Sequence, residues 1–252
     1  MLILVTNDDG VRSPGLRALA ECMQDIGDVF VVAPDRNRSA VGHALTLDLP
    51  LRAEEIKTGI FAVDGTPTDC VNLGIHGLLK KRPDLVVSGI NLGSNIGDDI
   101  TYSGTVSAAL EAALMGLPAF AVSLDCRQFH GDDLATASTF SRHLAETIRK
   151  NGLPRGTFLN VNVPAGGCAG VSLTRQGKRR YGEAVVCNKD PRGRHYYWIG
   201  GSEVGFEDIP GTDCSALRDG MISVTPLHTN LTHEQSYVEL QKWELTCMTG
   251  RS

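Results

Sequence analysis

The sequence predicts an α/β protein built on a doubly wound, mostly parallel sheet of Rossmann-like type, followed by an irregular, β-rich C-terminal extension. Two observations carry that expectation. Apolar runs without a polar break, at 2–5, 29–33, 85–87 and 119–122, suit strands covered on both faces. Segments of helical period lie between them, so strand and helix alternate to about residue 165, beyond which periodicity fades. The expected division is a core over 1–165 and an extension over 166–252.

Taken in order, the run at 2–5 is stopped by Asn7-Asp8-Asp9-Gly10. Ser13-Pro14 reads as an N-cap followed by proline at the first helical position. Leu16, Leu19, Ala20, Met23 and Ile26 then recur at helical spacing until Gly27. With the strand at 29–33 this is a β-α-β unit, which implies a right-handed parallel crossover. A polar loop runs from Pro34 to Val41. Residues 44–51 alternate loosely and are expected as a strand, as are 60–63. Thr66-Pro67 starts a helix with Val71, Leu73, Ile75, Leu78 and Leu79 on its apolar face. The strand at 85–88 empties into a glycine-rich loop over 89–99, and Tyr102-Ser103-Gly104-Thr105 opens a small-residue helix to about Met115. A strand at 119–123, a helix at 134–150 and a strand at 158–163 complete the core. In the extension, a strand at 222–227 and a terminal helix at 234–245 are expected.

Composition removes several classes of function. The chain has 252 residues, 42% hydrophobic and 21% charged, the balance of a soluble folded protein. A net charge of -5 speaks against binding nucleic-acid polymers or anionic membranes. No apolar stretch approaches the roughly 20 residues of a membrane span, and no signal-peptide pattern is present. Seven cysteines without a C-x-x-C pair read as reduced thiols of a cytoplasmic protein.

Three loops leave strand ends on one edge of the expected sheet, where open α/β sheets bind ligands. They offer Asp8 and Asp9, then Asn37 and Ser39, then Asn91 and Asn95. Taken alone, the aspartate pair also fits a solvated turn that caps the next helix. As a set these are hard oxygen donors, the kind that Mg²⁺ or Mn²⁺ selects. Ser103, Gly104 and Thr105 open a helix whose free N–H groups and dipole favour phosphate. Carboxylates plus a helix N-terminus make a metal-and-phosphate site, and phosphate ester hydrolysis is the reaction that suits it. Other templates fail. There is no G-x-x-x-x-G-K-[ST], and the first strand ends in Asp-Asp-Gly where a dinucleotide fold needs G-x-G-x-x-G. Asp98, Asp99, Thr66, Asp69 and His43 are expected in structural roles. Lys178-Arg179-Arg180 is expected as a solvated charge run and the aromatics at 196–198 as an oligomer interface.

Taken together the motifs resemble the SurE family, the survival protein E 5′-nucleotidases. The matching stretches are Thr-Asn-Asp-Asp-Gly at 6–10, Val-Ala-Pro-Asp-Arg-Asn-Arg-Ser at 32–39, Gly-Thr-Pro-Thr-Asp-Cys-Val at 65–71, Ser-Gly-Ile-Asn-Leu-Gly-Ser-Asn-Ile-Gly-Asp-Asp at 88–99 and Tyr-Ser-Gly-Thr-Val at 102–106. The resemblance implies a metal-dependent phosphomonoesterase acting on nucleoside 5′-monophosphates, with 3′-monophosphates and short polyphosphate as further substrates. It implies one divalent ion, Mg²⁺ or Mn²⁺, held by Asp8, Asp9, Ser39 and Asn91, with Asp8 and Asp9 catalytic. Asn95, Ser103, Gly104 and Thr105 would contact phosphate or the outer coordination sphere of the metal. It also implies a homodimer or homotetramer built by a projecting hairpin, placed here at 185–205, and by an exchanged tail. The competing readings are a non-catalytic module that binds metal and nucleotide, and an enzyme that is primarily an exopolyphosphatase.

Overall fold

In the computed structural model, which describes residues 1–126, 133–182, 185–199 and 204–243, the opening apolar run is β1 (Leu2–Thr6). It is followed by α1 (Pro14–Gln24), β2 (Asp28–Pro34), β3 (Ala53–Lys57), β4 (Ile60–Val63) and α2 (Pro67–Leu73), which runs into a π-helical turn at Gly74–Leu78. Then come β5 (Leu85–Leu92), a 3-10 turn at Gly97–Thr101, α3 (Gly104–Leu114), β6 (Ala119–Asp125), α4 (Asp133–Asn151) and β7 (Thr157–Pro164). The extension carries β8 (Val171–Leu173), β9 (Arg179–Tyr181), β10 (Val185–Lys189), β11 (His195–Ile199), β12 (Val204–Phe206), α5 (Asp213–Arg218), β13 (Ile222–His228) and α6 (Glu234–Leu240).

The main sheet has the order β3-β4-β2-β1-β5-β6-β7-β13-β8. From β4 to β7 every pairing is parallel; β3 and β13 run antiparallel to β4 and β7. Strand residues alternate between two cores, as their two-residue period requires. Ile3 and Val5 pack with Leu16, Leu19 and Met23 of α1, and with Leu144 of α4. Leu4 points the other way, to Val71 of α2 and Val106 of α3. The doubly wound α/β architecture expected from the sequence is the one observed.

The boundaries differ in three places. β5 runs on to Leu92, into the stretch expected as a loop. Residues 44–51 do not form a strand. Their alternating leucines find no cover, and Leu45, Leu47 and Leu49 are 47%, 83% and 70% exposed. The sheet edge is taken by β3, a fully exposed strand with no apolar alternation to announce it. The 44–51 segment is tethered by side chains: Asp69 accepts the Thr46 amide at 2.9 Å and its hydroxyl at 2.6 Å. The terminal helix is also shorter than expected. α6 ends at Leu240 and buries nothing, so no packing supports its further turns.

The extension is less separate than its loss of periodicity suggests. β13 pairs with β7, and β8 with β13, so two of its strands extend the core sheet. β10 and β11 form an antiparallel hairpin exposed along its whole length, in the position expected for a projecting hairpin. Residues 200–203 of that expectation, and 244–252 of the tail, lie outside the described residues.

One close approach fixes α1 on the sheet. A Cβ added at Gly15 would fall 2.0 Å from the carbonyl oxygen of Ile90. Helix propensity alone would make Gly15→Ala stabilising by about 1 kcal/mol. The contact reverses the sign, and urea unfolding of Gly15→Ala is expected to show a loss of about 1–3 kcal/mol.

Candidate active site

The chain leaves β1 for α1 on one face of the sheet, and leaves the adjacent β5 for α3 on the other. The crevice between such diverging connections is where open α/β sheets bind ligands. Asp8 and Asp9 lie there because the turn after β1 is locked. Asn7 is fully buried; its side chain donates to Gly10 O at 3.2 Å and to Ser13 Oγ at 3.1 Å, and accepts the Gly10 amide at 3.2 Å. Gly10 itself sits at φ 101°, in the left-handed region that suits glycine.

Asp8 is only 4% exposed and faces the start of α3. The Thr105 hydroxyl donates to Asp8 Oδ1. Gly104 is close enough that an added Cβ would lie 2.8 Å from the Asp8 Cβ. Burial raises the Asp8 pKa; the Thr105 hydroxyl, and after it the amides of Asp8, Thr105 and Gly104, pull it back. Asp9 is pushed up to about 6, first by burial and then by the negative charge of Asp8. The Leu92 amide, 3.5 Å from Asp9 Oδ2, opposes that shift.

The other expected residues are placed as follows. Ser39 is exposed on the loop after β2; the Arg38 amide ties that loop to Asp8 O at 2.7 Å, and the Ser39 hydroxyl donates to Asn37 Oδ1 at 2.7 Å. Asn91, at the end of β5, donates from Nδ2 to Gly93 O at 2.8 Å, which leaves its Oδ1 as a free acceptor in geometry. Asn95 is 8% exposed, and its Nδ2 donates to Ser123 Oγ at 2.8 Å. Ser103 caps α3, its Oγ accepting the Val106 amide at 3.1 Å. The structure thus puts Asp8 in contact with Gly104 and Thr105, and Asp9 beside Leu92. Ser39 is joined to the group through backbone alone.

Two residues that sequence reasoning did not single out support Asn95. Asn162 on β7 accepts the Asn95 amide at 2.7 Å and donates to its carbonyl at 3.0 Å; Asn160 donates to the same carbonyl at 2.8 Å. Both are fully buried. Their signal was visible as two asparagines alternating with apolar residues in a buried strand. Three expectations of structural roles hold. Thr66 and Asp69 form a capping box on α2, and His43 Nε2 meets Glu111 Oε2 at 2.6 Å. Asp98 and Asp99, expected to cap backbone groups in their own loop, are engaged instead by Lys178, Arg179 and Tyr181 of the extension. The charge run at 178–180 is not simply solvated, however. Lys178 pairs with Asp98 at 3.1 Å and Arg179 with Asp99 at 2.8 Å, because the extension folds back over the loop between β5 and α3.

The donor set suits a divalent cation. Among the described residues, no lysine, arginine or histidine forms an ion pair with Asp8 or Asp9. Two desolvated carboxylates are therefore left without a counter-charge, which a hard cation would supply. Among those residues no three His, Cys, Asp or Glu cluster as metal ligands, so the remaining donors would be neutral oxygens. An open cleft of about 380 Å³ has Asp9, Arg12 and Arg36 among its lining residues.

A protein-family model described as "Survival protein SurE" matches residues 3–183. A curated protein of Syntrophotalea carbinolica named 5′-nucleotidase SurE is 61% identical over 98% of this chain and 98% of its own. Another of the same name, from Geobacter sulfurreducens, is 62% identical over 98% and 95%. The crystal structure of the SurE protein from Aquifex aeolicus superimposes with a TM-score of 0.86, at 43% identity, over 97% of this chain and 100% of that one.

The raised pKa of Asp9 has a stability consequence with a definite sign. Its folded-state pKa, about 6, exceeds the ordinary 3.8, so its ionised form weakens the metal-free fold. That penalty is fully present above the folded value and disappears as pH falls below the ordinary one. Chelator-treated Asp9→Asn is therefore expected to unfold at higher denaturant than the parent near neutral pH. The gain is on the order of 1 kcal/mol after allowance for solvent screening, and the gap should close on acidification.

Proposed function

The chain belongs to the survival protein SurE family, and from that premise we propose that it is a 5′-nucleotidase, hydrolysing nucleoside 5′-monophosphates to nucleoside and phosphate. The observation that carries the reading is the Asp8–Asp9 pair, Asp8 buried and Asp9 half-buried, with no cation paired to either among the described residues and Asp8 set against the first turn of α3. Asp8 and Asp9, with Ser39 and Asn91, would hold one divalent ion, Mg²⁺ or Mn²⁺. When bound, such an ion supplies Lewis-acid polarisation of the phosphoryl group and lowers the pKa of water.

The protein's own groups divide the remaining work. The Thr105 hydroxyl fixes the orientation of Asp8. Gly104 lets the α3 backbone come close to it, and Ser103, Gly104 and Thr105 offer a hydroxyl and amides to the phosphate at a helix N-terminus. Asn95, braced from β6 and β7, adds its side chain to the phosphate contacts. One of the two aspartates accepts the proton of the attacking water. The division proposed for the chain assigns this chemistry to 1–165, and assembly as a homodimer or homotetramer to 166–252, whose hairpin exposes Tyr197, Trp198 and Ile199. The net charge of -5 supports a small nucleotide rather than a nucleic-acid polymer as substrate. No helix among the described residues is long and apolar enough to cross a membrane, and cytoplasmic residence is the proposed location.

Phosphate release is to be measured from 5′- and 3′-mononucleotides and short polyphosphate, with Mn²⁺, Mg²⁺ or EDTA. Metal-dependent release, fastest from 5′-monophosphates, is the expected result. Asp8→Asn should lower turnover by about a hundredfold or more at unchanged circular dichroism. Nucleotide binding without release would favour a non-catalytic module. Gly104→Ala forces Asp8 aside and should lower kcat/KM by about tenfold to a hundredfold, while a variant as active as the parent would remove that contact from the account.

A further inference from the structure

The stretch from Asn95 to Asp99 links two parts of the proposed phosphate site, the Asn95 side chain and the start of α3. The C-terminal extension grips it at four successive residues. Ile96, 4% exposed, packs with Cys214 and Leu217 of α5. At Gly97, Asp213 Oδ2 accepts the amide at 3.0 Å and Gln176 Nε2 donates to the carbonyl at 2.9 Å. Asp98 takes the Arg179 amide at 3.0 Å, and Asp99 the Tyr181 hydroxyl at 2.6 Å.

Asp213 is the centre of this grip. It is fully buried, and among the described residues no cation pairs with it. Its charge is met by amides instead: Oδ2 by Gly97, Oδ1 by Gly177 at 2.8 Å and by Cys214 at 2.8 Å. A buried carboxylate is a costly way to fill space, but its several acceptor sites can collect N–H groups from three segments at once. The partners are built to approach it. A Cβ at Gly177 would lie 2.7 Å from Asp213 Oδ1, and Gly97 adopts φ 54°.

We propose that Asp213 is a positioning residue for phosphate binding: by holding the Gly97 peptide it sets the spacing between Asn95 and the N-terminus of α3. The proposal rests on the phosphatase reading above and extends the working site to a residue beyond the 3–183 stretch matched by the family model. The proposed metal donors hang from the ends of β1, β2 and β5 and do not depend on this grip, so the two functions separate.

Asp213→Asn keeps the volume but turns one acceptor into an NH₂ group facing an amide. Gln176→Ala loosens the same peptide from its other side, and serves if the first variant does not fold. Three readouts are compared: Mn²⁺ binding to the metal-free protein, calorimetric binding of inorganic phosphate to the Mn²⁺-loaded protein, and kcat and KM for a 5′-mononucleotide. The phosphate dissociation constant and KM should rise about tenfold or more in Asp213→Asn, and less in Gln176→Ala, with Mn²⁺ affinity held within about twofold. Unchanged phosphate affinity in both variants would overturn the proposal. So would a loss of Mn²⁺ affinity and melting temperature in step with phosphate affinity, since that marks a role in the fold alone. Phosphate binding reads the grip without turnover. A parent protein that binds phosphate yet hydrolyses no nucleotide would therefore overturn the catalytic reading and leave the grip to be judged by its own result.

Discussion

Desolvating two adjacent carboxylates at the end of a fully covered strand penalises their ionised forms, and the surrounding loops are arranged around that penalty. Burial lifts the pKa of Asp8, and burial with the neighbouring charge lifts that of Asp9 to about 6. Hydrogen bonds alone do not remove the penalty. The Thr105 hydroxyl and the first amides of α3 offset part of it at Asp8, and the Leu92 amide a little at Asp9. A divalent cation would remove much more, since a site that weakens the metal-free fold is one that metal binding stabilises.

Topology makes the arrangement possible. β1 and β5 are neighbours whose helices leave to opposite faces, and the gap between them receives Asp8 and Asp9 from one side and the start of α3 from the other. Close backbone approaches then set the distances: Gly15 against Ile90, and Gly104 against Asp8. Beyond this inner group lies support from distant sequence. Asn160 and Asn162 brace Asn95 from β7, and Asp213 holds Gly97 from α5. The Asn95–Asp99 stretch is therefore held both by the parallel core and by the extension that folds back over it.

The inner group is legible in the sequence because buried parallel strands advertise themselves as unbroken apolar runs, whose ends share one edge of a parallel sheet. Asp8, Asp9, Ser103, Gly104 and Thr105 were reached that way. What was not legible depended on contacts that leave no local pattern. The leucines at 45, 47 and 49 alternate like a strand, yet no neighbour covers them, while the exposed β3 forms with no alternation at all. Lys178 and Arg179 look like a solvated run until the fold sets them beside Asp98 and Asp99. Asp213 sits in a helix of only six residues, too short to show a period.

The most direct test of the account is a titration of the metal-free protein with Mn²⁺, followed by electron paramagnetic resonance of the free ion. One tight site per chain is expected, abolished in Asp8→Asn while circular dichroism stays that of the parent. Equal Mn²⁺ binding by the parent and Asp8→Asn, or none by either, would rule out the Asp8–Asp9 pair as the metal centre.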